Sequence, residues 1–247
     1  MNIIWHEILS STNDQALKDV KRLDNLSIIA TFCQTAGRGQ QGNKWSSETS
    51  QNLLFSILLK EFACFGFAPL PAGRQFLLSR AAALSVVAFL EKWGLKASIK
   101  WPNDIYVGDK KIAGILIENG LQGNTLVRSI IGIGINLGQR DFPPGIPHPT
   151  SVSLLTGTNF TRESLQTELA RFGTIFEGFL QMDAGRLTAS YEKKLYRKGS
   201  WYPYRDSRTG ERFEACFLGT EDAGRAVLET REGGIRKFAF KELEFLI

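Results

Sequence analysis

Residues 34–45, QTAGRGQQGNKW, combine charge and glycine in a pattern that suits an anionic ligand. Three glycines fall within six residues, and Arg38 and Lys44 are interspersed with them. Glycines let the backbone approach a ligand closely, and the two cations would neutralise phosphate oxygens. The segment lacks the Gly-Lys-Ser/Thr ending of a P-loop, and its glycines do not open a helix as in a dinucleotide-binding loop. Alone, it fits either an anion-binding loop or a mobile surface loop.

Residues 100–118, KWPNDIYVGDKKIAGILIE, place a carboxylate and an ammonium on one face of a predicted β-hairpin. If the Gly-Asp pair forms a two-residue turn, Asp104 faces Ala113 and shares a face with Lys111. The two would then be diagonal neighbours with Cα atoms roughly 7–8 Å apart, within reach of one substrate. The same pattern would also fit a solvent-exposed hairpin with a surface ion pair, but the apolar IAGILI indicates an interior strand. Because a charge pair is costly there unless function uses it, we predict a functional pair.

Residues 131–137, IGIGINL, form an apolar strand with Gly132 and Gly134 on the same face. The two glycines leave a flat strip against which a ring could lie, although a helix packed close to the sheet explains them equally well. The two histidines, His6 and His148, have no partners at metal-ligand spacing. No metal site is therefore predicted.

These segments require a sheet and helices to position them. Apolar periodicity predicts helices over residues 13–22, 74–93, 162–179 and 184–196, and strands over 27–33, 52–59, 97–100, 111–118 and 129–136. The layout is α+β, a mixed and mostly antiparallel sheet flanked by helices. Short alternating runs at 212–217, 226–229 and 237–240, separated by glycines, predict a small C-terminal β-barrel. We place the domain boundary so that residues 1–198 form one domain and 199–247 the second.

Composition excludes several classes of protein. The 247 residues are 43% hydrophobic, enough for one full core with a small second domain. Three cysteines without CxxC spacing indicate neither a disulfide framework nor a zinc site. The formal charge of +5 is spread without a run of five like charges, so no nucleic-acid partner is predicted. The longest uncharged apolar run, residues 81–90, is far short of the roughly 20 needed for a membrane span, and no secretory signal is apparent. We expect a cytoplasmic protein without a membrane partner.

Taken together and in this order, STN, QTAGRGQQGNKW, KWPNDI, KKIAGILIE and GIGINL resemble the motif set of biotin protein ligases. The resemblance runs from about Trp5 to Asn136, and the C-terminal β segment resembles the SH3-like domain of that family. It implies a class II synthetase-like, biotin-lipoate ligase fold that uses Mg²⁺ and ATP to convert biotin to biotinyl-AMP. The acceptor implied is a lysine of a biotin carboxyl carrier domain, in acetyl-CoA carboxylase or a related enzyme.

The resemblance also implies roles for individual residues. Lys111 would touch both the biotin carboxylate and the α-phosphate, Asp104 would meet the acceptor lysine, and Arg38 would close with its loop over the intermediate. Ser11, Thr12 and Gln34 would hydrogen-bond the ureido ring, Gly114 would flank the bicycle, and Asn136 would lie beside the nucleotide. The full set expected to bind biotin or ATP is Ser11, Thr12, Asn13, Gln34, Gly37, Arg38, Gly39, Gln40, Lys111, Gly114 and Asn136.

The chemistry gives these roles a reason. Two anions, a carboxylate and an α-phosphate, must meet, so a fixed cation at Lys111 would offset their repulsion. The product is a mixed anhydride that water would hydrolyse, so we predict a disorder-to-order closure of residues 37–45. An aspartate is a poor base for an ammonium group, so Asp104 is expected mainly to orient and desolvate the acceptor amine.

The sequence departs from the family pattern GRGRRG at Gln40 and Gln41, where basic residues commonly stand. An amide brings no charge, so we predict looser retention of biotinyl-AMP. The first predicted helix begins close to the N-terminus, and we therefore expect no winged-helix DNA-binding domain and no repressor function. An exposed sheet edge would allow a homodimer.

Two alternatives stay open at this point. A lipoate or octanoate ligase on the same fold would need a narrow apolar channel, whereas Ser11, Thr12 and Gln34 offer polar groups suited to a urea. A non-catalytic ligand sensor or interaction module would not need both Lys111 and Asp104.

Overall fold

Apolar, β-branched stretches between turn residues build the main sheet of the computed structural model, which describes residues 1–60 and 62–247. Its strands are β1 (Ile3–Leu9), β2 (Ile28–Gln34), β3 (Leu53–Leu59), β4 (Ala97–Lys100), β5 (Asp104–Val107), β6 (Lys110–Gln122) and β7 (Thr125–Ile135). They lie in the order β1-β2-β3-β7-β6-β5-β4. The β1–β2 pair is parallel and the other pairs are antiparallel, which confirms the mixed α+β sheet.

Helices cover this sheet: α1 (Thr12–Lys18), α2 (Phe76–Leu90), α3 (Val152–Thr156), α4 (Arg162–Leu180) and α5 (Ala184–Lys193). Helix α2 is buried almost all round because the sheet lies on one side of it and α4 and α5 on the other. It ends through a 3₁₀ turn at Gly94, whose φ of 69° lies in the left-handed region typical of a glycine that ends a helix. None of the helices formed by the described residues is long and apolar enough to cross a membrane.

Two expectations for the N-terminal region were wrong. Strand β1 was not predicted, because its sequence IIWHEIL interrupts the apolar pattern with charged and polar residues. Helix α1 ends at Lys18 and not near residue 22, because the Asp19 carboxylate is engaged by the side chains of Gln15 and Arg22 and the chain turns there.

A second, antiparallel sheet follows: β8 (Trp201–Asp206), β9 (Arg212–Thr220), β10 (Ala226–Thr230), β11 (Ile235–Phe238) and β12 (Leu243–Phe245). Its order is β11-β10-β9-β8-β12. Among the described residues β11 and β12 remain the two edges, so closure into a barrel stays a prediction, as does the domain boundary at 198/199.

The second sheet covers the β4 edge of the first. Ile99 exchanges backbone hydrogen bonds with the segment before β8, receiving one from Tyr196 and donating one to Lys194. The Trp101 indole donates to the Gly224 carbonyl at 2.9 Å and packs edge-on against Phe240. The strand that leads into the predicted catalytic hairpin is therefore fixed by the C-terminal part of the chain.

Arg80, inside α2, ties helix α2 to α5 and to the second sheet from within the core. Its side chain is 1% exposed and donates to the Thr188 hydroxyl, the Thr220 hydroxyl and the Glu221 carbonyl. Burial lowers the pKa of its guanidinium, yet the phenyl ring of Phe76 at 5.2 Å favours the charged form.

We expect Arg80→Ala to lower the free energy of unfolding by about 3 kcal/mol, because a fully buried guanidinium is removed and three partly buried acceptors lose their donor. The measurement is chemical denaturation monitored by circular dichroism. The matched control is Arg74→Ala, since Arg74 pairs with Asp222 at the surface, where both side chains are about half exposed. That change should cost less than about 1 kcal/mol. Equal losses for the two variants would contradict the role given to Arg80.

Candidate active site

The predicted hairpin forms, with a β-bulge that the sequence analysis did not foresee. Val107 pairs with Lys110 and Tyr106 with Lys111, as expected from a Gly-Asp turn. The register then shifts, so Asp104 pairs with Gly114 and the predicted pairing with Ala113 was wrong. A bulge adds one residue to one strand.

Asp104 and Lys111 nevertheless meet directly. Lys111 Nζ lies 2.6 Å from Asp104 Oδ1, with the two side chains 27% and 18% exposed. The Lys111 backbone is also fixed, because its N–H donates to the His148 carbonyl and its own carbonyl accepts from Thr150. The result is a half-buried ion pair held on rigid backbone at the edge of a cavity.

The glycine strip forms the floor of the cavity. Gly114 and Gly134 pair across β6 and β7, and the Trp45 indole lies against both. A Cβ atom at Gly134 would come within 2.4 Å of that ring, and one at Gly114 within 2.8 Å. A Cβ at Gly132 would meet Asn13 Oδ1 at 2.3 Å. In the closed structure a ring of the protein itself, that of Trp45, lies on Gly134, and helix α1 packs against Gly132. Each of the two explanations therefore applies to one of the two glycines of β7.

A polar cluster closes the opposite end of the cavity. The Thr12 N–H donates to Gln34 Oε1 at 2.9 Å, and Ser11 caps α1 by accepting from the Asp14 N–H. The Ser56 hydroxyl lies 2.7 Å from the Thr12 hydroxyl and 2.6 Å from Asn13 Oδ1. Ser56 was not predicted, although a lone serine within the apolar run NLLFSILL was the available signal.

Residues 37–45 fold back over this cavity, and we call them the flap. Gly37 accepts from the Trp45 N–H at 2.9 Å, and the Gly39 N–H donates to the Asn43 carbonyl at 2.7 Å. A Cβ at Gly37 would come within 2.5 Å of the Trp45 carbonyl, so this close crossing requires glycine. The side chain of Gln41 lies outside the described residues.

Arg38 fastens the flap to the body of the protein. Its guanidinium lies 2.7 Å from Asp14 Oδ1, on α1, and 2.8 Å from Glu118 Oε2, on β6. Asn13 Nδ2 donates to the same Glu118 carboxylate at 2.6 Å. Because all three charged side chains are 40–52% exposed, solvent screens these pairs, and separating them costs less than separating buried ion pairs.

The cavity beneath the closed flap has a volume of about 170 Å³. Small-molecule sites commonly have volumes of about 300–1,000 Å³. We therefore expect the flap to move, and the cavity to enlarge, when a ligand binds. The predicted residues that line it are Ser11, Thr12, Asn13, Gln34, Arg38, Gly39, Gln40, Asp104, Lys111 and Gly114. Of the remaining two, Gly37 lines a neighbouring cavity that is also formed by the flap. Asn136 is buried beside the site, and its amide donates to the Thr150 carbonyl.

Lys44, predicted as a cation that neutralises phosphate oxygens, also lines the cavity, and so do Asn43, Trp45 and Asn103, to which the prediction gave no individual role. Trp45 is the most informative of these, because its buried indole N–H has no hydrogen-bonding partner in the described part of the chain, and Lys111 Nζ lies 5.7 Å from its ring. Within residues 1–60 and 62–247 no group of three or more His, Cys, Asp or Glu side chains could hold a metal ion.

Comparison with known proteins gives a consistent result. Residues 5–136 match the model of the biotin/lipoate A/B protein ligase family. The bifunctional ligase/repressor BirA of Bacillus subtilis is 30% identical over 250 residues, covering 98% of this chain and 74% of that protein. The biotin--[acetyl-CoA-carboxylase] ligase of Paracoccus denitrificans is 31% identical over 157 residues, or 60% of this chain and 61% of that one. Among solved structures, the biotin protein ligase from Aquifex aeolicus in complex with biotin and ATP superposes with a TM-score of 0.75, at 28% identity and 99% coverage of both chains.

Proposed function

The chain belongs to the biotin/lipoate A/B protein ligase family, and from that membership we propose how its cavity performs a two-step reaction. It is a ligase that activates biotin with ATP and transfers it to a lysine of a carrier protein. One observation carries the assignment to this cavity: an ammonium and a carboxylate meet at one end of a glycine-floored cleft whose other end is polar.

In the first step, a carboxylate oxygen of biotin attacks the α-phosphorus of ATP, and pyrophosphate leaves. Lys111 stabilises both anions as they approach. Its ammonium group is preorganised, because backbone hydrogen bonds to His148 and Thr150 hold its strand in place. Asn136 would orient the adenosine side. Mg²⁺ would enter with ATP, held mainly by phosphate oxygens, and would neutralise charge on the leaving pyrophosphate.

In the second step, the acceptor amine attacks the acyl carbon of biotinyl-AMP, loses a proton, and AMP leaves. Asp104 would hold that amine beside the acyl carbon, because its carboxylate lies next to Lys111 at the cavity edge. Arg38, Gly39 and Gln40 would cover the anhydride while the flap is closed.

Biotin is favoured over a linear acid by the polar end of the cavity. A ureido group offers one carbonyl acceptor and two N–H donors, which match the Ser11 and Thr12 hydroxyls and the Gln34 amide. The bicycle would then lie beside Gly114, and the acid chain would run past Trp45 to Lys111. A linear acyl chain would offer these polar groups no hydrogen-bonding partner.

We also propose the partners and location expected from the sequence. The acceptor would be the carrier domain of acetyl-CoA carboxylase or a related biotin-dependent enzyme, in the cytoplasm. The β5 strand pairs with β6 only as far as Gly114, whereas β6 continues to Gln122, so part of β6 is a sheet edge. A second copy of the chain could pair with this edge.

The experiment that tests the function uses the purified chain with Mg²⁺, ATP and, in parallel, biotin, lipoate or octanoate. Mass spectrometry should detect biotinyl-AMP, and addition of an isolated carrier domain should give a mass increase equal to one biotinyl group. Formation of a lipoyl or octanoyl adenylate in preference to biotinyl-AMP would overturn the substrate assignment.

Gln40 gives a second test, because it lines the cavity where a charged residue would contact the intermediate. We expect Gln40→Arg to slow dissociation of biotinyl-AMP by about tenfold, since a charge-assisted contact adds roughly 1.4 kcal/mol, and Gln40→Glu to speed it. Dissociation is measured by trapping released radiolabelled intermediate. An unchanged rate in both variants would show that this position does not touch the intermediate.

A further inference from the structure

Lys100 is a second ammonium group near Asp104, and neither step described above uses it. It lies directly opposite Asp104 in the β4–β5 pairing, so the two side chains share a face of the sheet with Lys111. Its Nζ lies 5.2 Å from the centroid of the Tyr106 ring and 5.1 Å from that of Phe245. Burial, and then the charge of Asp104, raise the pKa of the Tyr106 phenol well above its usual range, so that ring stays neutral.

Lys100 is held without an ion pair among the described residues. Two aromatic faces attract its charge, one from the main sheet and one from β12 of the second sheet. Burial lowers the pKa of its ammonium, whereas the nearby Asp104 carboxylate opposes that shift; Lys111, Arg197 and Glu244 are the other charged groups that act on it. A half-buried cation without a carboxylate partner is costly unless it is used.

Among residues 1–60 and 62–247, Asp104 forms an ion pair with Lys111 alone, and the proposed reaction uses the same lysine for a second purpose. Lys111 pairs with it at 2.6 Å, but Lys111 is also the cation that the biotin carboxylate and the α-phosphate would engage. Once biotinyl-AMP is bound, Asp104 must share or lose Lys111. A carboxylate left alone in a closed site is poorly placed to hold an incoming ammonium group in one orientation.

We infer that Lys100 is a positioning residue that replaces Lys111 as the partner of Asp104 during transfer of biotin to the acceptor. The inference rests on the proposed function of the cavity. Directly opposed residues have Cβ atoms about 4.5–5.5 Å apart, so rotation of the lysine side chain is sufficient to make the contact. Phe245 and Tyr106 hold the ammonium ready, which gives the second sheet a role in the second half of the reaction.

The test separates the two half-reactions in Lys100→Met. Adenylation is followed by ATP–pyrophosphate exchange, and transfer by rapid mixing of enzyme-bound biotinyl-AMP with a carrier domain. We expect the transfer rate constant to fall about 10- to 100-fold, as for outer partners of other reactive groups, with adenylation changed by less than about threefold. Lys100→Arg should restore most of the transfer rate, because it keeps the charge.

Two further variants define the outcome. Lys96→Met, at an exposed lysine just before the same strand, should leave both half-reactions unchanged. Phe245→Leu removes one of the two rings and should lower the transfer rate constant selectively, by a smaller factor than Lys100→Met. If Lys100→Met does not fold, Phe245→Leu tests the inference in its place. An equal fall of both half-reactions, or an unchanged transfer rate, would overturn the inference. Absence of biotinyl-AMP in the unmodified chain would instead refute the proposed function itself.

Discussion

Lys111→Ala is expected to lower the rate constant of biotinyl-AMP formation by about 10²–10³-fold, the loss seen when one preorganised donor is removed from an anionic transition state. The biotin carboxylate and the α-phosphate repel each other, and we propose that both engage Lys111, an ammonium group at the edge of the cavity. Its strand is anchored on both sides by backbone hydrogen bonds, so little reorganisation accompanies the reaction. The rate constant is measured by pyrophosphate exchange at saturating ATP and biotin.

Lys110→Ala is the matched control for this prediction. Lys110 is the exposed neighbour on the same hairpin, and its removal changes net charge equally without altering the cavity lining. It should retain the native rate. If the two variants lost activity to a similar degree, the effect would be one of net charge or folding, and Lys111 would not be the cation of the reaction.

The face shared by Asp104 and Lys111 was predictable because side chains alternate along a strand and a Gly-Asp turn sets the pairing next to it. The bulge was not predictable in the same way. It depends on how Ile112 and Ala113, both fully buried, pack into the core, and that packing is a tertiary property. The predicted proximity of Asp104 and Lys111 is correct despite the wrong register, because both side chains remain on the same face of the sheet.

Trp45 illustrates what sequence patterns do not reveal. The glycines of the strip predicted that a ring could lie there, but nothing in the sequence shows that the flap folds back far enough to supply one. Gly37 and the Gly39–Asn43 hydrogen bond make that reversal possible. Strands β8 and β12 escaped prediction for a different reason, because proline and charged residues interrupt WYPYRD and β12 has only three residues.

Asp104→Asn should impair the transfer step and not adenylation, whereas Lys111→Ala should impair adenylation. The amide keeps the shape of the carboxylate but not its charge, so the acceptor ammonium loses the group that would hold and desolvate it. We expect transfer to fall by about 10²-fold, the order of loss when a reacting group is no longer held in its productive position. Adenylation should change by less than about threefold, because Lys111 remains available to the two anions. Single-turnover transfer from preformed biotinyl-AMP measures the effect.

Asp109→Asn is the comparison that isolates position from charge. Asp109 lies in the turn of the same hairpin and accepts from the Tyr196 hydroxyl at 2.5 Å, away from the cavity lining. Its loss removes an equal charge and disturbs the hairpin, yet it should leave transfer within about threefold of the native rate, since no reacting atom is near. If Asp104→Asn lowered adenylation and transfer in the same proportion, Asp104 would act through Lys111 in the first step. The proposal that Lys111 serves adenylation and Asp104 serves transfer would then be wrong.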